Sequence, residues 1–316
     1  MGSVLQDTVL AALERLCPGG VCPNEPLARH VTFRIGGPAD VLLVPPSLDH
    51  LVAAVTWLYR EGQPFVVLGR GSNVLIADRG VRGVVIKVGR GQDATRYQGN
   101  RVMAQCGVSL PHLSRATATR GLAGLEFAAG IPGSVGGGIV MNAGAHGCSL
   151  AGVVRQVRVL TPGGERTWSR DELHFQYRQS RLQHEPGVVL EAELELHPAD
   201  PRECLGRLEA WLRTRSDTQP LGPPSSGCVF RNPTGDHAGR LIDITGGKGM
   251  RVGGAAVSDR HANYILNTGG ATAADVLALV AQVRARVRDR SGTDLEPEIK
   301  LIGEFEPGEG APEGSR

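Results

Sequence analysis

The sequence predicts a soluble, cytoplasmic, Gly-rich α/β protein. Three observations carry that expectation. Segments with helical apolar spacing alternate along the chain with short strand-like runs. Of 316 residues, 44 are Gly and 20 are Pro, so turns and close backbone approaches are frequent. Aromatic residues make up only 4%, so the cores must be built from aliphatic and small side chains. The length suggests two or three domains and leaves ample chain to bury a core.

Residues 4–16 read as a short amphipathic helix with Leu5, Val9, Leu13 and Leu16 on one face. The string TFRIGGPAD (32–40) then breaks any helix. Residues 47–59 form a stronger one, in which Ser47 can cap, Asp49 sits in the first turn and Leu51, Val55 and Leu58 recur at helical spacing. A short apolar strand at 65–68 runs into GRGSN, and strands are expected at 84–88 and 102–105, with a helix at 110–119. Alternating segments at 153–160, 166–169 and 188–197 read as strands of one sheet. Residues 198–215 supply a linking helix. A second unit begins near Gln219, with a helix at 237–244 and strands at 255–257 and 262–266. Residues 272–288 give the clearest helix, with Thr272 as cap, Asp275 three residues on, and an apolar stripe through Val276, Leu279, Val280, Val283 and Val287. The tail beyond Phe305 has no apolar anchor and is expected to be disordered.

The formal net charge of +2 gives no electrostatic case for nucleic acid or an anionic membrane. No apolar run approaches the roughly 18 residues of a membrane span, and the acidic opening argues against a signal peptide. Six scattered cysteines, none in a CxxC pair, favour reduced thiols. His146 and His261 pair with no Cys or carboxylate at metal-ligand spacing, so no metal is expected.

Two glycine-rich stretches point toward chemistry. GRGSNVLI (69–76) follows a strand and offers unobstructed backbone N–H groups, with Gly69, Arg70, Gly71, Ser72 and Asn73 able to surround an anion. It is not a Walker loop, and it lacks the helix and acidic residue of a Rossmann site. By itself it reads more readily as a strand-end turn. The second stretch, GIPGSVGGGIVMNAGAHG (130–147), is so poor in side chains that backbone lying flat against something planar or anionic is expected. A loop packed on itself is the alternative, which would have to satisfy many amides internally. Together the two stretches favour a large cofactor with a diphosphate and a flat ring, which a dinucleotide fits.

Seven strings in order resemble the UDP-N-acetylenolpyruvoylglucosamine reductase family, flavoenzymes of peptidoglycan precursor synthesis. They are TFRIGGPAD (32–40), GRGSNVLI (69–76), GLEFAAGIPGSVGGGIVMNAGAHG (124–147), FQYRQSR (175–181), SGCVFRNP (226–233), AGRLIDITGGKGMRVGGAAVSDRHANYILN (238–267) and LEPEIKLIG (295–303). The resemblance covers nearly the whole chain apart from its termini. It implies an α+β architecture: an FAD-binding fold of the vanillyl-alcohol oxidase/p-cresol methylhydroxylase type, followed by a smaller α+β substrate-binding domain. The expected boundaries are a lead-in at 1–30, an FAD-binding domain at 31–200 split near 88, a substrate domain at 201–303 whose last strand returns to the active site, and a tail at 304–316. The spacing is similar to the shorter subclass, which lacks an inserted loop bearing a tyrosine.

The resemblance further implies non-covalent FAD, NADPH as hydride donor and UDP-N-acetylglucosamine enolpyruvate as substrate, with no obligate protein partner. Cofactor contacts are implied at Gly69, Arg70, Gly71, Ser72, Asn73, Gly130, Ile131, Pro132, Gly133, Ser134, Gly136, Gly137, Asn142, Ala143 and Gly144. Arg178, in the YRQS string, is the expected electrophile for the substrate carboxylate, since a guanidinium is permanently charged and binds carboxylates bidentately. Cys228 stands where the family often has Ser as proton donor, and a thiol is the stronger acid. Glu298, rather than its neighbour Glu296, matches the family's second carboxylate. Asn232, Lys248, Arg251 and His261 are the expected substrate contacts.

Overall fold

The computed structural model describes residues 2–305, and of residues 2–7 only the backbone; the expected disordered tail lies outside the described residues. The chain packs as two compact units, each assembled from separate stretches. The first comprises Met1–Pro23, Val41–Arg70 and Gly83–Arg215, and the second Asn24–Asp40, Gly71–Arg82 and Ser216–Arg316.

This packing departs from boundaries at 30 and 200. Phe33, Ile35 and Leu75 are buried in one apolar cluster with Val229, Leu279 and Ile299, so the segments that carry them belong with the C-terminal part of the chain. The linking helix goes the other way: Cys204 and Leu208 pack on Ala118 and Ala129 of the first unit. Apolar burial at about 25 cal/mol per Å² decides membership here, and sequence order does not.

In the first unit, α1 (Gly2–Leu16) and α2 (Leu48–Arg60) accompany a sheet ordered Val21–Pro23, Ala39–Leu43, Val81–Lys87, Phe65–Leu68. The Ser47 side chain accepts from the His50 amide, capping α2 as its sequence position requires, and Leu51, Ala54, Val55 and Leu58 are buried. A five-stranded antiparallel sheet follows, ordered Gly164–Ser169, Val154–Thr161, Val188–Glu195, Arg101–Gln105, Thr95–Gln98. Three further helices complete the unit: α3 (Leu110–Thr119), α4 (Val135–Met141) and α5 (Pro201–Thr218).

The sequence predicts that residues 130–147 lie flat against something planar or anionic; of these, Val135–Met141 form helix α4 instead. Its glycines are largely spent on tight packing. A Cβ on Gly136 would stand 3.0 Å from Cys106 Cβ, and one on Gly138 would stand 2.8 Å from Leu150 Cδ1 and 2.9 Å from Leu110 Cδ1. The helix can therefore press against its neighbours only where side chains are missing.

In the second unit, Ser225–Cys228, Tyr264–Asn267, Ala255–Val257 and Arg251–Val252 form an antiparallel sheet in that order. It carries α6 (Ala238–Ile244) and α7 (Ala273–Ser291). The capping box of Thr272 and Asp275 is formed in full, and Val276, Leu279, Val280, Val283 and Val287 are buried. Val74–Ile76 pairs in parallel with Lys300–Ile302, which brings LEPEIKLIG alongside the end of GRGSNVLI.

Candidate active site

The first unit holds one set of the expected residues. Phe65–Leu68 and Val81–Lys87 run parallel with Leu68 opposite Lys87, so both strands end at the same edge. The next residue, Gly69, accepts a hydrogen bond from Lys87 Nζ through its carbonyl oxygen at 2.6 Å. Gly69 lies flush against Ser134, where an added Cβ would stand 2.5 Å from Oγ. Residues far apart in sequence, 69–70 and 134–137, thus meet as one surface. Gly137 is exposed, and a Cβ there would meet only Ser134 Oγ, at 3.6 Å. The result is a bare backbone patch that an anionic group can approach closely, and it fits the diphosphate of a dinucleotide.

The cradle is narrower than the glycine run implied. The amides of Val135, Gly136 and Gly138 donate to the carbonyls of Val108, Cys106 and Ser134, all at 2.8 Å. Gly137 N–H reaches Ser134 Oγ at 3.4 Å, Ile131 N–H donates to Ala128, and Gly133 N–H to Ile131. Gly130, which precedes Pro132 in the same turn, is pinned elsewhere: an added Cβ would stand 2.7 Å from Arg215 Cδ. Lys87 is half-buried, and burial followed by the charge of Arg70 pushes its ammonium down to about 8.

Asn142 terminates α4 in a left-handed conformation, φ 43°. Its side chain donates to Gln176 O at 2.8 Å and accepts from Ala151 N–H at 3.0 Å, while Ala143 N–H donates to Gly138 O. These bonds dock the FQYRQSR segment on the glycine-rich one. Arg178 is itself left-handed at φ 57° and donates from Nη2 to Gly144 O at 2.8 Å. Such a conformation in a residue with a long side chain costs about 1 kcal/mol or more. Gln183 holds it, donating from Nε2 to both Arg178 O and Val140 O at 2.9 Å. Gln183 lies outside every string singled out above, and only the structure reveals it. His146 stacks on Trp211 at 5.0 Å, and burial together with Arg215 lowers its basicity.

The second unit holds the others. Thr32 donates from Oγ1 to Ser225 O at 2.7 Å, and its N–H donates to Gly71 O. Gly71 needs its positive φ of 66°, and an added Cβ would stand 2.7 Å from His30 O. Ser72 is half-buried beside it. Asn73 donates from Nδ2 to Glu298 O at 3.3 Å, and its own carbonyl accepts from Lys300 N–H, so its amide ties the loop to the carboxylate-bearing strand.

Cys228 ends the strand Ser225–Cys228, and the carbonyl of the next residue, Val229, accepts from Glu298 N–H at 2.7 Å. Glu298 is thereby tied through its backbone to the residue that follows Cys228. Glu296 is exposed and pairs with Arg231 at 3.0 Å, whereas Glu298 is half-buried. Asn263, buried and not anticipated, accepts from Phe230 N–H at 2.9 Å and donates to Phe230 O at 2.8 Å. That pair of bonds fixes the segment after Cys228 as a third strand would. The signal was an Asn inside the string ANYILN, at the edge of a strand.

Of the expected substrate contacts, Asn232 accepts from Ala238 N–H at 3.1 Å and so starts α6. Lys248 pairs with Asp243 at 2.7 Å, and Arg251 is exposed. His261 Nδ1 accepts from Asn263 N–H at 3.3 Å, which puts the proton of the neutral ring on Nε2, and burial lowers its basicity.

Comparison with known proteins covers both parts of the chain. An FAD-binding domain model matches residues 39–170. The C-terminal domain model of UDP-N-acetylenolpyruvoylglucosamine reductase matches residues 219–302. UDP-N-acetylenolpyruvoylglucosamine reductases of Bacillus licheniformis and Bacillus subtilis are each 42% identical, over 94% of this chain and 99% of theirs. That of Rubrobacter xylanophilus is 45% identical over 92% of this chain and 98% of its own. The crystal structure of the Thermus caldophilus reductase superimposes with a TM-score of 0.77 at 37% identity, covering 88% of this chain and 97% of that one. With identity at this level over almost its full length, the chain belongs to the UDP-N-acetylenolpyruvoylglucosamine reductase family.

Proposed function

We propose that this protein uses NADPH and non-covalently held FAD to reduce UDP-N-acetylglucosamine enolpyruvate to UDP-N-acetylmuramate, a cytoplasmic step of peptidoglycan precursor synthesis. The observation that supports the chemistry is the backbone bond from Glu298 N–H to Val229 O, which ties the segment bearing Glu298 to the residue next to Cys228. FAD, when bound, would supply hydride chemistry between NADPH and the enol-ether double bond. The backbone patch of Gly69, Ser134 and Gly137 is the surface that would hold its diphosphate.

The remaining work falls to side chains. Arg178 binds the substrate carboxylate, and its permanent charge stabilises the negative charge that spreads there as the double bond is saturated. Cys228 donates its Sγ proton to the carbon bearing that carboxylate. Glu298, kept protonated by the like charge of the substrate carboxylate, donates to the enolate oxygen. Asn232, with Oδ1 committed to α6, contributes through Nδ2. Lys248 and Arg251 meet the substrate diphosphate. The pair of Lys248 with Asp243 is exposed and worth about 1 kcal/mol at most, so an incoming phosphate displaces Asp243 readily.

An anaerobic absorption spectrum tests the reading. NADPH should bleach a flavin band, and the enolpyruvyl UDP-sugar should restore it. A flavin that stays reduced after the sugar is added removes the substrate, and a protein that takes up no flavin removes the whole assignment.

A further inference from the structure

We propose that Trp211 is a positioning residue for Arg178, acting through the ring of His146 and the hairpin that carries it. The inference rests on the reading of Arg178 as the residue that binds the substrate carboxylate. Its ground is a row of contacts between one face of α5 and the segment 124–147.

Arg207, Trp211 and Arg215 follow one another at intervals of four along α5, so they share a face of the helix. Each meets the glycine-rich segment at a different point. Arg207 pairs with the buried carboxylate of Glu126 at 3.2 Å. The Trp211 ring stacks on His146, with centroids 5.0 Å apart and planes 3° from parallel. Arg215 lies along Gly130, where an added Cβ would stand 2.7 Å from its Cδ. The outer two contacts bracket the short turn Glu126–Gly130, and the middle one reaches a hairpin further along the chain.

Gly144–Ala145 pairs with Cys148–Ser149, so His146 and Gly147 make a two-residue turn, and both have positive φ, 54° and 76°. The hairpin is tight, since a Cβ on Gly144 would run into Cys148 O. It therefore moves as one piece, and Gly144 O, at its base, accepts from Arg178 Nη2 at 2.8 Å. His146 is exposed, and a ring at such a tip swings unless something holds it. The half-buried Trp211 is what it lies on. The stack ties the hairpin to α5, which Cys204 and Leu208 anchor to the rest of the unit. The acceptor for Arg178 is thus located by a packed helix rather than by a surface turn. Gln183 holds the Arg178 backbone, and Gly144 O bears on its guanidinium. A guanidinium has five donors, so it can accept this constraint and still grip a carboxylate.

The test separates the two half-reactions of the holoenzyme by stopped-flow absorbance. Trp211→Leu and His146→Asn should each lower kcat/KM for the enolpyruvyl UDP-sugar about three- to tenfold, the range of one ring–ring contact, while reduction of the flavin by NADPH is unchanged. Trp211→Phe, which keeps a ring for the stack, should recover most of the loss. The double variant, Trp211→Leu with His146→Asn, should be no worse than the worse single one, because both remove the same contact. His146→Asn also separates positioning from stability. Asn before Gly suits a turn of this form, so the melting temperature should hold or rise while kcat/KM falls. That variant keeps the test decisive if Trp211→Leu does not fold. Unchanged kcat/KM in the single variants, an equal loss in both half-reactions, or additive losses in the double variant overturns the proposal. Arg178→Ala is the control. If it abolishes sugar-dependent flavin reoxidation while the Trp211 and His146 variants behave as wild type, the Trp211 proposal alone fails. If Arg178→Ala reoxidises normally, the reading of Arg178 fails and the proposal with it.

Discussion

The contact of Gly69 with Ser134 predicts a mutational coupling of unusual sign. In Gly69→Ala, the new Cβ would stand 2.5 Å from Ser134 Oγ, well inside the about 3.3 Å at which carbon and oxygen ordinarily touch. The strain can be relieved by turning the Ser134 hydroxyl away, which gives up its cap on the Gly137 amide, or by shifting the loop. The first route costs about 1 kcal/mol and overpacking costs about 1–3, so a net loss of about 1–2 kcal/mol is expected. Ser134→Ala removes the clashing atom, since the two Cβ atoms would then stand 3.7 Å apart. The conformation of Gly69 is not left-handed, so in that background Gly69→Ala should stabilise by about 0.4–1 kcal/mol through the unfolded chain. The coupling between the two sites is therefore about 2 kcal/mol. Urea denaturation of the deflavinated protein in a four-member mutant cycle measures it. Simple additivity of the two substitutions would refute the reasoning.

Cys228→Ala should lower the rate of substrate reduction by about 10²-fold or more, as expected for loss of a general acid, while reduction of the flavin by NADPH stays normal. Cys228→Ser should keep measurable turnover with a shifted pH profile, and stopped-flow absorbance resolves both half-reactions. For α7, Thr272→Ala should cost about 1 kcal/mol in denaturation experiments. Asp275→Ala should cost more, because its carboxylate also accepts from Gly254 N–H at 3.3 Å. The lowered basicity of Lys87 implies that the unfolded chain binds the extra proton between its ordinary pKa near 10.5 and about 8. Wild-type stability relative to Lys87→Met should therefore fall as pH drops through that window and level off below it. Parallel curves for the two proteins across the window would contradict this.

Legibility in the sequence followed the range of the interactions. The helices α2 and α7 carry their own signals: a Ser or Thr cap, an acidic first turn, an apolar stripe at 3.6 spacing. They form close to where those signals place them. The short strand Ala255–Val257 is likewise as expected. Strands such as Val21–Pro23 carry too few residues to show alternation, and exist because Leu42 and Leu43 lie opposite. The division into units was illegible for the same reason, since nothing near Phe33 or Leu75 announces that their partners lie some 200 residues on. Arg178, Cys228 and Glu298 were singled out because their strings are distinctive. Gln183, Asn263 and Lys87 act on backbone carbonyls and amides, an activity no composition reveals. Asn263 left a trace within ANYILN, and Lys87 another, as one of three lysines in an arginine-rich chain, at the end of the apolar run VVIK.

The glycines of residues 130–147 show what such counting can and cannot decide. A missing Cβ records only that something comes close, and a ligand and a neighbouring side chain leave the same record. Propensity argues against a helix through Gly136, Gly137 and Gly138, at about 1 kcal/mol each relative to Ala. The helix forms because two of them admit Cys106, Leu110 and Leu150 to van der Waals distance, and that packing outweighs the propensity. Only Gly137 faces open space. Within one run of three identical residues, two are packed against neighbours and one is left open. Substitution distinguishes them: a larger residue at Gly136 or Gly138 should destabilise the protein, whereas Gly137→Leu should cost little stability and weaken FAD binding, which thermal denaturation and flavin titration read separately.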